Sequence, residues 1–189
     1  MTKYIANCSD IIDWDYIRNN IDDMKFLKRW CPKNIDEWKW KAENEYFGSH
    51  QDEVRNLINK MENAKINFDF IQICEYWLED NDPLIYKFSN FLNVKPILAY
   101  ISVIHPGHGI FSHWDIDTSE PDHLSMGNVR RFSCFIEPPT MGHFFIVNDV
   151  HMYNQEKGAV WEWDNYRSEH IGVNFGLKTK YLFNFLGYS

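Results

Sequence analysis

The stretch "HPGHGIFSHWDID", residues 105–117, carries three histidines and two aspartates within thirteen residues. On an extended strand successive side chains alternate, so His113 and Asp115 fall on one face. An imidazole and a carboxylate so placed supply two donors of a facial metal site. The third must come from a distant strand, and the candidates are His123, His143, His151 and His170. His170 opens "HIGVNFGLKTKYLFNF", where a reversal centred near Phe175 would set it opposite Lys180. A lysine sharing a strand face with Leu182 and Leu186 needs an anion, because an unpaired buried charge is costly. His105, His108 and His123 otherwise read as solvated loop residues. His143 and His151 could face either way.

The elements that must position these groups change in character near residue 95. Before it, "SDIIDWDYIRNNI", "IDEWKWKAENEYF" and "QDEVRNLINKMENA" carry apolar residues at helical spacing. Ser9 and Asp10 are candidate caps of the first of these. "NDPLIYKFSNFL" is a stronger start signal, with Asp82 to cap and Pro83 at the first helical position. "INFDFIQI" alternates as a strand would. After residue 95, seven short segments rich in β-branched and aromatic residues follow one another, separated by Gly, Pro and Asn. They are "PILAYISVI", "GIFSHWDI", "VRRFSCFIE", "HFFIVND", "GAVWEWD", "HIGVNF" and "TKYLFNFLGY". Strands in such number with no helix between them predict a sandwich or barrel. The expected organisation is one compact α+β unit, with a mainly helical support region over 1–94 and a β core over 95–189.

Composition narrows the function. The net charge is −8, which disfavours a phosphate-backbone partner. The one exception is "MKFLKRWCPKNIDEWKWK", read as a solvated helix face with its Trp residues turned inward. Cys8, Cys31, Cys74 and Cys134 form no CxxC pair and read as reduced and mostly buried. Acids come too early in "MTKYIANCSDIIDWD" for a signal peptide, and no apolar run reaches the length of a membrane span. A cytoplasmic, soluble protein is expected.

Two histidines and one carboxylate with open positions form the ligand set of non-haem Fe(II) oxygenases, and the lysine suggests an anionic co-substrate. In this order the residues resemble the 2-oxoglutarate- and Fe(II)-dependent oxygenases, whose core is a double-stranded β-helix (a cupin-like jelly roll). The resemblance covers about residues 95–189. It is closest to the aspartyl/asparaginyl β-hydroxylase group, which includes free-proline hydroxylases, through "PGHGIFSHWD", "NVRRFSCFIEPP", "KGAVWEWDNYRSEH" and Lys180. It implies His113, Asp115 and His170 as iron ligands. It also implies Lys180 and Ser102 at the distal carboxylate of 2-oxoglutarate, and Arg131 near the co-substrate's other end. Lys178 and Arg130 are the competing neighbours, and Arg130 is a possible substrate contact. Two departures stand out: Asp115 is present where animal aspartyl β-hydroxylases lack the carboxylate, and position 133 is Ser where the group tends to have a second histidine.

The resemblance implies hydroxylation of an amino-acid side chain, free or in a peptide or protein (Asp, Asn or Pro). 2-Oxoglutarate and O2 would be consumed, and succinate and CO2 formed. The loops at 117–128 and around 149–158 would set selectivity. Two other readings use the same residues. A nucleic-acid-oxidising enzyme would bind through residues 24–41, and a cupin-like metal or ligand-binding module would have no use for Lys180.

Overall fold

Segments rich in β-branched and aromatic residues dominate the second half of the chain, and strands form there. The structure, a computed structural model, describes residues 2–31, 35–44, 55, 58–59, 62–65, 70, 72–113, 129–153, 155–163 and 168–189. Strands occupy Lys3–Asn7 (β1), Lys28–Trp30 (β2), Cys74–Trp77 (β3), Lys95–Ile104 (β4), His108–His113 (β5) and Val129–Phe135 (β6). They continue with His143–Val147 (β7), Val150–His151 (β8), Ala159–Trp163 (β9), His170–Asn174 (β10) and Lys180–Tyr188 (β11). Helices span Trp14–Asn20 (α1), Ile35–Asn44 (α2) and Pro83–Leu92 (α3).

The major sheet runs β1-β9-β6-β11-β4-β3-β2 and the minor sheet β5-β10-β7-β8, with antiparallel pairing throughout. From β4 to β11 the chain passes back and forth between the sheets, so that β9-β6-β11-β4 faces β5-β10-β7-β8. This is the eight-stranded jelly roll, or double-stranded β-helix. The first 94 residues do more than supply helices. β1 extends the major sheet beyond β9, while β3 and β2 extend it beyond β4. β2 lies within the Trp/Lys-rich stretch that reads as helix in the sequence.

Alternation gives the major sheet two unlike faces. Ile101 and Val103 of β4, Phe132 and Cys134 of β6, Val160 of β9, and Phe183 and Phe185 of β11 join Trp14, Ile17, Leu84, Ile85 and Phe88 of the helices in one apolar core. α3 is held to this face by its ends. The Asp82 side chain accepts from Leu84 N at 2.8 Å, Pro83 opens the helix, and Asn93 closes it at φ 52°. α1 is capped by Asp13, which accepts from Tyr16 N at 2.9 Å, rather than by Ser9 or Asp10. Ser9 is instead drawn into a turn by Asn7 Oδ1. A second cluster of Phe135, Phe145, Val147, Met152, Ala159, Trp163 and Leu182 fills part of the space between the sheets.

The expected fold-back of β10 onto β11 does not occur. β10 pairs with β5 and β7, β11 pairs with β4 and β6, and residues 175–179 cross from one sheet to the other. Lys180 lies opposite Ile104, not His170. Side chains hold the crossover. Asn174 Nδ2 donates to Ile104 O and Lys178 O, each at 2.8 Å, and Asn174 Oδ1 accepts from Gly176 N at 2.9 Å.

Candidate active site

The inner face of the major sheet breaks the rule its outer face obeys. At inward positions where apolar residues would complete the core stand Ser102 on β4, Arg131 and Ser133 on β6, and Lys180 and Asn184 on β11, all buried. Ser102, Arg131, Lys180 and Asn184, with His113 and His170 from the minor sheet, line an open pocket. Ile104, Ile110, Phe145, Trp163 and Leu182 complete much of the wall.

The two histidines meet across a strand pair. His170 on β10 lies opposite His113 on β5, with ring centroids 4.2 Å apart. Burial, then the neighbouring His113 and Arg131, push the His170 pKa well below the usual histidine range, so its imidazole is neutral. His170 Nδ1 lies 3.1 Å from Ser168 O. A carbonyl only accepts, so Nδ1 carries the proton and Nε2 carries the lone pair that a metal requires. Asp115 lies outside the described residues, as does His123. Among the described residues no group of three or more metal-binding side chains is assembled.

The other histidines have different partners. His143 Nε2 lies 2.8 Å from Lys178 O and so helps fix the crossover. His151 stacks on Phe144 at 5.2 Å. His105 is exposed beside Thr179. His108 belongs to β5 rather than to a loop.

Lys180 also lines the pocket, 4% exposed, and burial lowers its pKa to about 7. Its Nζ donates to Phe144 O at 2.5 Å and lies 5.2 Å from the centre of the Phe145 ring. A Cβ placed on Gly172 would come within 3.6 Å of that Nζ, so the glycine leaves room beside the ammonium. Lys178 is exposed in the crossover and does not line the pocket.

A hydrogen-bonded row fixes the hydroxyl next to this lysine. Trp163 Nε1 donates to Ser133 Oγ at 3.0 Å, and Ser133 Oγ donates to Asn184 Oδ1 at 2.9 Å. Asn184 Nδ2 then donates to Ser102 Oγ at 2.9 Å. Each step is forced, because an indole nitrogen only donates and an amide oxygen only accepts. Ser102 Oγ accepts at the end of the row, which leaves its own hydrogen to donate. Neither Trp163 nor Asn184 stands out in the sequence as a site residue, and Ser133 stands out only as a departure from the second histidine of the resembled group. The available signal was the alternation of "KYLFNF", which puts Lys180 and Asn184 on one face.

The two arginines part company. Arg131 is 4% exposed, donates to the Tyr100 hydroxyl and lies 4.5 Å from the Trp163 ring centre. Burial in turn pushes Tyr100 up to about 12. Arg130 points to the opposite face of β6 and is clamped by Glu162 at 2.6 and 3.0 Å. Glu75, opposite Ser102 on β3, adds a carboxylate to the pocket wall. Among the described residues, none that lines the pocket comes from residues 24–41.

No family model matches the chain, and no curated protein matches it. Solved structures with a similar fold include a viral collagen prolyl hydroxylase from Paramecium Bursaria Chlorella virus-1 in complex with 2OG. It is 14% identical, with 88% of this chain and 98% of that one covered and a TM-score of 0.47. A prolyl-4-hydroxylase from Pseudomonas putida is 8% identical over 94% of this chain and 100% of that one, with a TM-score of 0.44. A predicted oxalate decarboxylase from Thermotoga maritima is 12% identical over 62% of this chain and 82% of that one, with a TM-score of 0.39. Similarity at this level concerns the fold, which the strand order and register establish independently.

Proposed function

We propose that this protein is a 2-oxoglutarate- and Fe(II)-dependent dioxygenase that hydroxylates an amino-acid side chain, presented free or within a peptide. One observation carries the reading: a fully buried lysine and two facing imidazoles line the same pocket. On this reading, an anion site and a metal site would share one pocket. His113, His170 and Asp115 would hold the iron, and the neutral, tautomer-fixed His170 fits that role. Bound iron would supply the activation of O2 and the oxidative decarboxylation of 2-oxoglutarate to succinate and CO2.

The chain's own residues bind and orient. Lys180 would pair with the distal carboxylate of 2-oxoglutarate, and that pairing would offset the cost of burying the ammonium. Ser102 would donate its hydroxyl hydrogen to the same carboxylate, its direction fixed by the Trp163–Ser133–Asn184 row. Arg131, packed against Trp163, which itself lies 4.7 Å from His170, would face the co-substrate's other end. Ile104, Ile110, Phe145 and Leu182 would keep water from the space between.

The test is succinate formation from 2-oxoglutarate by protein loaded with Fe(II) in air, across a panel of amino acids and Asp-, Asn- or Pro-containing peptides. The expected result is substrate-stimulated succinate with one oxygen atom added to the substrate, both lost in His170→Ala. Metal binding without succinate, under every member of the panel, would favour the binding-module reading instead.

A further inference from the structure

The four cysteines, unremarkable in the sequence, are brought together as two pairs. Cys8 Sγ and Cys134 Sγ lie 3.6 Å apart, and both are completely buried. The second pair is set by strand register. β2 and β3 pair Lys28 with Trp77, Arg29 with Tyr76 and Trp30 with Glu75. One further step along that register sets Cys31 opposite Cys74. Directly opposed residues of antiparallel strands share a face, with Cα atoms about 4.5–5.5 Å apart. A disulfide spans Cα separations of roughly 4.4–6.8 Å. Both thiols are reduced and partly exposed, so a small oxidant can reach them.

We propose that Cys31 and Cys74 form a site of reversible oxidation, closing a disulfide that ties β2 to the pocket-lining strand β3. Hydrogen peroxide suffices as the oxidant. One thiol is oxidised to a sulfenic acid with release of one water. The second thiol then attacks that sulfur, forming the S–S bond and releasing a second water. The two thiols lose two electrons and two protons, and the peroxide is reduced to two waters. Contact with Cys31, then burial and the charge of Glu75, hold the Cys74 thiol well above its ordinary pKa. The bond would bear on the pocket, because Ile73 and Glu75, on either side of Cys74, both line it. Cys8 and Cys134 are an internal control, close enough to bond but closed to the oxidant.

The test exposes the folded full-length chain to hydrogen peroxide, then denatures and alkylates it and maps its peptides. The expected result is a fall from four alkylatable thiols to two, with Cys31 and Cys74 recovered as one cross-linked peptide pair. Dithiothreitol should restore all four. Cys134→Ser should still form the link, whereas Cys74→Ser and, as a second variant on the sheet edge, Cys31→Ser should not. Four thiols remaining, a Cys8–Cys134 link, or only intermolecular dimers would each overturn the assignment.

Discussion

β11 carries two kinds of structure on one strand. Outward, Phe183 and Phe185 pack against Phe88 of α3 at 4.9 and 5.2 Å between ring centroids. Inward, Lys180, Leu182 and Asn184 face the pocket. The outer face is filled by side chains whose only demand is removal from water. The inner face buries an ammonium, a guanidinium, an amide and two hydroxyls, at a cost that folding alone does not require. Stability and chemistry are thus divided between the two sides of one sheet, and substitutions on the two sides should separate them.

The largest expected effect is on the outer face. Phe88→Ala should cost about 3–5 kcal/mol of stability in denaturant unfolding, because it opens a cavity against two further aromatic rings. The 2-oxoglutarate affinity of the molecules that remain folded should not change. A large loss of affinity there would mean that the two faces are coupled.

Lys180→Met reverses that pattern. Removing one charge-assisted contact should weaken 2-oxoglutarate binding by about 10- to 100-fold, measured by calorimetry. Stability should hold or rise, since a buried cation gives way to an apolar chain of similar length.

The same lysine sets a pH dependence. Its folded-state pKa is about 7 against an ordinary value of 10.5. Between those values the unfolded chain binds more protons, so stability should rise with pH across that window. Below the window the full cost of the buried charge is present. Binding of the dicarboxylate should weaken over the same rise, because the protein must take up a proton to pair with it. In Lys180→Met both slopes should disappear.

The smallest effect is expected from Ser133→Ala, which breaks the row in the middle. Affinity for 2-oxoglutarate should fall by about 3-fold, because Ser102 keeps its hydroxyl and loses only its fixed direction. Stability should fall by about 1–3 kcal/mol, because Trp163 Nε1 and Asn184 Oδ1 lose a buried partner. Unchanged binding would show that the row serves packing alone.

Much of this contrast was legible before any coordinates. Alternation and turn residues marked seven strands of the β core, and Asp82-Pro83 marked the start of α3. The strands at the sheet edges were a different matter. β1, β2 and β8 run two to five residues and sit at or near sheet edges. At an edge, tertiary pairing rather than propensity decides whether a strand exists. The turn after His170 was misread for a related reason. Closeness in sequence suggested a hairpin, whereas Asn174 and His143, bonding to distant carbonyls, carry the chain into the other sheet. Lys180 nevertheless reaches the pocket that His170 lines, from the facing sheet. Asn184 reads as an ordinary strand position until register sets it beside Ser133, which the sequence marks only by its missing histidine.

On the proposed function, this pocket binds Fe(II) and 2-oxoglutarate together. The most direct measurement is an anaerobic titration of the metal-free protein with Fe(II) and then 2-oxoglutarate, followed by visible absorption. A weak charge-transfer band should develop that requires both additions and is absent in His113→Ala. A protein that binds the metal but develops no band at saturating 2-oxoglutarate would contradict the proposed function.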